Sequence, residues 1–244
     1  MKSRLLNFCL IFLWFVSLCF GYKYEDTMKR TFTINPDGIV NLETLRGNIE
    51  ISTASGNEVY IRATVMSDSH PELEKVQVKF EADAGSVTAT ADGNLAESKV
   101  DIDYYLRVPE KLTSVRIITH SGEIKAKGEY KDIDLKTGNS DIDFKGNFTK
   151  CRLTTANGDI DVHVKGILGG DLSAKSINGS IEVELKPGSR FIIRGGTQTG
   201  SIRSDFECRI AKDIIGSKIE GTLHDGAYNI HLNTINGNIG LYSQ

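Results

Sequence analysis

Apolar and polar positions alternate in short runs on both sides of a recurring glycine. The unit is Thr-x-x-Gly-x-Ile. It runs Thr119 to Ile124, Thr137 to Ile142 (with Ser140 in the glycine position), Thr155 to Ile160 and Ser176 to Ile181. It returns as Thr197 to Ile202 and Thr234 to Ile239, with one early copy from Thr44 to Ile49 and a degenerate one from Lys218 to Leu223 that keeps Gly221. The isoleucine steps from Ile124 to Ile202 are 18, 18, 21 and 21 residues. A near-constant period of this size marks stacked repeats.

The flanking columns show what each copy buries. Four residues before the Thr stand Val115, Ile133, Cys151, Leu172, Ile193 and Ile230. Two before it stand Leu42, Ile117, Leu135, Leu153, Ala174 and Leu232, with Gly195 as the exception. Two after the Ile stand Ile51, Ala126, Phe144, Val162, Val183 and Leu241. Period two on both sides of a glycine predicts strand, tight turn, strand. The glycines are expected to supply backbone freedom at the turn. One such hairpin cannot bury its apolar face alone, whereas stacking makes a continuous core. The expected fold is all-β: a parallel β-solenoid, β-helix-like, with rungs about 4.8 Å apart. A β-sandwich of hairpins is the competing architecture.

Residues 54–110 interrupt the repeat. Val59–Val65, Val76–Glu81, Val87–Ala91 and Val100–Val108 read as longer alternating strands, predicting an inserted antiparallel β-meander that shares the sheet. Around Pro71 to Lys75 at most one helical turn is expected. Regular solenoid repeats should fill 111–244, and 22–244 should be one domain.

The first 21 residues follow another pattern. Lys2 and Arg4 precede an apolar run from Leu5 to Phe20, which ends at Gly21. This is the layout of a cleaved secretory signal peptide over 1–21, and the run is short for a membrane span. An uncleaved anchor is the alternative. Leu18 stands where a lipoprotein signal has a small residue before its cysteine, so lipidation at Cys19 is not expected. No other run is long enough to span a membrane after cleavage. The predicted location is outside the cytoplasm: periplasm, cell surface or extracellular space.

Composition narrows the function. Cleavage would remove Trp14, Cys9 and Cys19, and the loss of Lys2 and Arg4 moves the net charge from −3 to −5. An acidic chain of this kind does not suit nucleic acid. Gly at 24 residues against four Pro fits many tight turns. Cys151 and Cys208 remain, and export makes a disulfide the default. Cys151, however, falls in the inward column, about three rungs from Cys208. That distance exceeds disulfide reach, so two free thiols are expected.

Chemistry has few candidates. None of His70, His120, His163, His224 and His231 has metalloenzyme spacing, and all read as surface residues. No nucleophile elbow or phosphate-binding loop is present. The acids beside the repeat isoleucine form a weak candidate metal face: Glu123 and Asp141 and Asp159 before it, Asp143 and Asp161 after it. Stacked like charges need solvent, lysine or a cation to compensate. A solvated face is the expected reading, calcium the next, and a retaining glycosidase pair the third. No catalytic residue and no cofactor are assigned.

The Thr/Ser-x-x-Gly-x-Ile copies, the segment Tyr104-Tyr105-Leu106-Arg107-Val108-Pro109 leading into Val115, and the ending Leu232 to Ile239 resemble the exported bacterial "putative adhesin" family. That family has a β-strand repeat domain of unknown function. The resemblance covers about Thr31 to Tyr242. It implies a β-helix-like fold, a location outside the cytoplasm, and a non-catalytic protein that binds a surface protein or glycan, or serves as an envelope scaffold. A polysaccharide-acting β-helix enzyme using the outward carboxylates is the alternative.

Overall fold

A computed structural model describes residues 24–92, 99–110 and 114–244. The leader 1–21, including Cys19, lies outside the described residues. The chain opens with β1 (Tyr24–Thr33), β2 (Ile39–Arg46), β3 (Ile49–Ala54) and β4 (Glu58–Ser67). One helical turn, α1 (His70–Leu73), precedes β5 (Gln77–Ala82), β6 (Ser86–Asp92) and β7 (Val100–Pro109). Then come β8 (Ser114–Ser121), β9 (Ile124–Asn139), β10 (Ile142–Asn157), β11 (Ile160–Val164), β12 (Asp171–Lys175) and β13 (Ile181–Leu185). The end comprises β14 (Phe191–Thr199), β15 (Ile202–Ser204), β16 (Arg209–Asp213), β17 (Gly216–Leu223), β18 (Tyr228–Asn236) and β19 (Ile239–Ser243). The fold is all-β.

The repeat columns become parallel ladders in two stacks. One stack holds the strands after each turn, in the order β7, β3, β9, β10, β11, β13, β19, β15. The other holds those before each turn: β6, β2, β8, β9, β10, β12, β18, β14. The long strands β9 and β10 contribute to both. Repeat isoleucines meet in register, Ile124 beside Ile142, Ile142 beside Ile160 and Ile160 beside Ile181. The inward residues of both stacks form one core, in which Ile117, Ile124, Leu135, Ile160 and Ile193 are fully buried.

The order of rungs departs from the order along the chain. The last repeat lies between its predecessors: β18 sits between β12 and β14, and β19 between β13 and β15. The copy at Lys218 to Leu223 is no rung. It is β17, the antiparallel partner of β14 and β16, and its Gly221 lies mid-strand against Cys208 rather than at a turn. The insert also divides. Strand β4 runs antiparallel to β7 and β1, and β5 runs antiparallel to β6, whereas β6 and β7 extend the parallel stacks beyond β2 and β3. Both ends therefore finish in antiparallel strands, and charged residues occupy the last edges, as in Arg209, Lys212 and Asp213 of β16.

Two side-chain ladders and the close approach of the turn backbones explain the motif. The buried Thr or Ser hydroxyl donates to the turn carbonyl of the neighbouring rung: Thr137 to Gly122 at 3.2 Å, Thr155 to Ser140 at 2.9 Å, Ser176 to Gly158 at 3.0 Å, Thr234 to Gly179 at 2.8 Å and Thr197 to Gly237 at 2.7 Å. Ser140 accepts through its backbone as the glycines do. Asparagine amides chain along the turn, Asn157 to Asn139, Asn178 to Asn157 and Asn236 to Asn178, at 2.7–2.8 Å. The turn glycine is needed for close approach. A Cβ on Gly158 would lie 2.0 Å from the Ser140 carbonyl oxygen, and one on Gly179 1.8 Å from that of Gly158. Gly158 has no positive φ, so there the neighbouring rung, rather than backbone freedom, demands glycine.

Cys151 and Cys208 are free, Cys151 buried and Cys208 partly so. From Cys151 the stack passes Leu172, Ile230 and Ile193 to Gly221, against which Cys208 packs. The inserted β18 adds a spacing: four steps reach Gly221 and a fifth reaches Cys208, roughly 24 Å in all.

Candidate functional site

The five predicted acids divide into two groups. Those before the isoleucine belong to the turn. Asp141 Oδ1 accepts the Asp159 backbone N–H at 2.7 Å, and Asp159 Oδ1 accepts that of Ser180 at 2.6 Å. Asn48 and Asn238 act likewise, accepting from the N–H groups of Glu123 and Ser201. These carboxylates satisfy backbone donors of the neighbouring rung, and that bonding compensates their stacking. The Glu123 carboxylate pairs instead with Lys125 at 2.7 Å.

Asp143 and Asp161, after the isoleucine, face outward on β10 and β11. In register they form the row Lys125, Asp143, Asp161, Glu182. A second outward row, two residues along each strand, reads Lys127, Lys145, His163, Glu184. His163 Nδ1 stands 2.6 Å from Glu184 Oε2. The rows flank a cleft of about 470 Å³.

Electrostatics distinguish the acids. Partial removal of the carboxylate from water, together with Asp143 and Glu182 on adjacent rungs, pushes Asp161 up to about 6 although the residue as a whole remains exposed. Asp143 is raised by the same desolvation and by Glu123, while Lys125 opposes the shift. Asp161 is thus a carboxyl group that exchanges its proton near neutral pH. Phe144, the one Phe, Tyr or Trp among the described residues of the cleft, is buried and offers its ring to no sugar. Among the described residues no group of three or more His, Cys, Asp or Glu side chains converges as a metal site.

A larger cleft, of about 680 Å³, lies along the outer face of the other stack and was not foreseen from the sequence. Its signal is present in the repeat. The position directly after the Thr faces outward and holds His120, Gly138, Ala156 and Gln198 in four copies, yet Leu45, Ile177 and Ile235 in three, the last two of which line the cleft. Both isoleucines are exposed.

Stacked parallel rungs tied by Thr, Asn and Asp ladders define a β-repeat protein whose outer faces carry two clefts. The chain belongs to the Toastrack family (DUF4097), which it matches over residues 39–242. Among solved structures it is similar to a putative cell adhesion protein from Clostridium sporogenes, at 15% identity and a TM-score of 0.49, covering 90% of this chain and 100% of that one. It is also similar to a putative adhesin from Bacteroides fragilis, at 12% identity and a TM-score of 0.46, covering 88% of this chain and 96% of that one. A putative lipid binding protein from Parabacteroides distasonis follows at 11% identity and a TM-score of 0.32, covering 91% and 98%. No curated relative matches the chain. No helix of the described residues is long and apolar enough to cross a membrane.

Proposed function

We propose that the chain is a non-catalytic, exported β-solenoid, an adhesin or envelope scaffold that binds a surface protein or glycan through its outer faces. The observation that carries this reading is the fate of its polar groups. From Thr137 onward the motif hydroxyls, the asparagine amides and the carboxylates of Asp141 and Asp159 are engaged in rung-to-rung hydrogen bonds. What remains outward is a rigid grid of side chains about 4.8 Å apart, which suits recognition by repeated contacts. The leader would deliver this grid outside the cytoplasm.

A specific observation favours the alternative of a polysaccharide-acting enzyme. Asp161, held near 6, stands one rung from both Asp143 and Glu182, a spacing close to that of a retaining glycosidase pair. Fractionation of cells and mass analysis of the mature chain test export: a cytoplasmic, full-length product refutes it. A screen against glycans and surface proteins, read alongside release of reducing ends, separates the two activities. Binding without turnover supports the scaffold; turnover abolished by Asp161→Asn supports the enzyme.

A further inference from the structure

The larger cleft is a groove across the strands. Its floor is the buried Thr row, in the order Thr137, Thr155, Ser176, Thr234, Thr197, Ser217. Five rungs and the antiparallel β17 make it roughly 24 Å long. One wall presents Ala156, Ile177 and Ile235. The β16–β17 hairpin closes the far end with Ile215, which is 78% exposed, and Ile214 beside it is 99% exposed. Large apolar side chains left in water along a concave surface mark a binding groove.

The floor also says what can lie there. Its hydroxyls already donate to turn carbonyls. Its backbone is paired between rungs: the Ala156 carbonyl accepts from Asn178, the Ile177 carbonyl from Asn236, and the Ser176 N–H donates to Asn233. An extended peptide would find only the scattered outward side chains of Thr154, Asn233 and Gln198 as partners for its amides, and an amide left buried and unpaired is costly. A hydrocarbon chain has no such groups. The charges at the rim complete the specification. Lys136, Lys175 and Lys218 face Asp213 alone, and none of the three lysines is ion-paired among the described residues.

We propose that this groove binds a long-chain fatty acid, with the acyl chain along the Thr row between Ile177, Ile235 and Ile215 and the carboxylate at the lysine rim. The inference goes beyond the proposed binding of a surface protein or glycan and does not depend on it.

The test uses the purified mature chain and cis-parinaric acid, a fluorescent fatty acid. Fluorescence should rise on binding and fall on displacement by palmitate, with neutral hexadecanol roughly tenfold weaker as a competitor. Ile177→Asp, at a site already exposed, should weaken binding roughly tenfold with the melting temperature unchanged. Lys136→Glu with Lys175→Glu should erase the preference for palmitate over hexadecanol. Absence of a fluorescence change, equal competition by hexadecanol in the parent, or undiminished binding by Ile177→Asp overturns the proposal. So does sedimentation with phosphatidylglycerol vesicles that free palmitate fails to reduce, because that result means adsorption to a bilayer.

Discussion

Gly158→Ala isolates the packing of one rung on the next. Its backbone is outside the left-handed region, so alanine brings no torsional strain. The new Cβ would stand 2.0 Å from the Ser140 carbonyl oxygen, where real contacts do not fall below 3.0 Å. The two rungs must therefore separate by about 1 Å, beyond hydrogen-bond range for contacts that now measure 2.7–2.9 Å. Three bonds cross the gap beside Gly158: Thr155 Oγ1 to Ser140, Asn157 Nδ2 to Asn139 and the Asp159 N–H to Asp141. At about 1 kcal/mol each the loss is about 3 kcal/mol, a large part of a typical domain's 5–15 kcal/mol. Gly188→Ala is the control, since its Cβ would meet only Ile167 at an ordinary 3.6 Å. Urea unfolding followed by far-ultraviolet circular dichroism gives the comparison. Gly158→Ala should unfold at a clearly lower urea concentration than the parent, and Gly188→Ala at a similar or higher one. Equal midpoints for the two variants would show that the close approach of rungs does not govern the turn glycines.

Four further outcomes are expected. Asp161, at about 4 when unfolded and about 6 when folded, favours the native state while protonated, and that contribution is lost as pH rises from about 4 through 6. The melting-temperature advantage of Asp161→Asn over the parent should therefore grow across that window; a constant difference refutes the coupling. Ile160→Asp places a carboxylate at a fully buried position and should cost several kcal/mol, read as a large fall in melting temperature; a parental melt would mean that the column does not face the core. Calcium should leave the melting temperature unchanged, because Asp141 and Asp159 are engaged with backbone donors; a rise abolished by Asp141→Asn would reveal a shared cation. Native alkylation should modify Cys208 before the buried Cys151, and mass spectrometry of the unreduced protein should find no link between them. A Cys151–Cys208 crosslink would contradict the separation of five strand spacings.

The local pattern determined the elements. Alternation about the Thr-x-x-Gly-x-Ile unit specifies strands, turns and inward columns, because a side-chain period of two sends alternate residues to opposite faces. Cys151 in a column of Val115, Ile133 and Leu172 was legible as buried for that reason. The order of the rungs was not. Their columns are chemically alike, so Ile239 fits between Ile181 and Ile202 or beyond Ile202, and local sequence has no term that chooses between the two orders. Tertiary structure made the choice. The β14–β17–β16 hairpin system occupies the far end, and the chain returns to slot β18 and β19 between rungs already made. The acids follow the same rule. Spacing placed Asp141 and Asp161 two columns apart, but whether a carboxylate meets a backbone N–H or another carboxylate depends on which rung lies beside it. The apolar groove depends on the same placement, since Ile177 and Ile235 become neighbours only because the last repeat lies against the Ser176 rung.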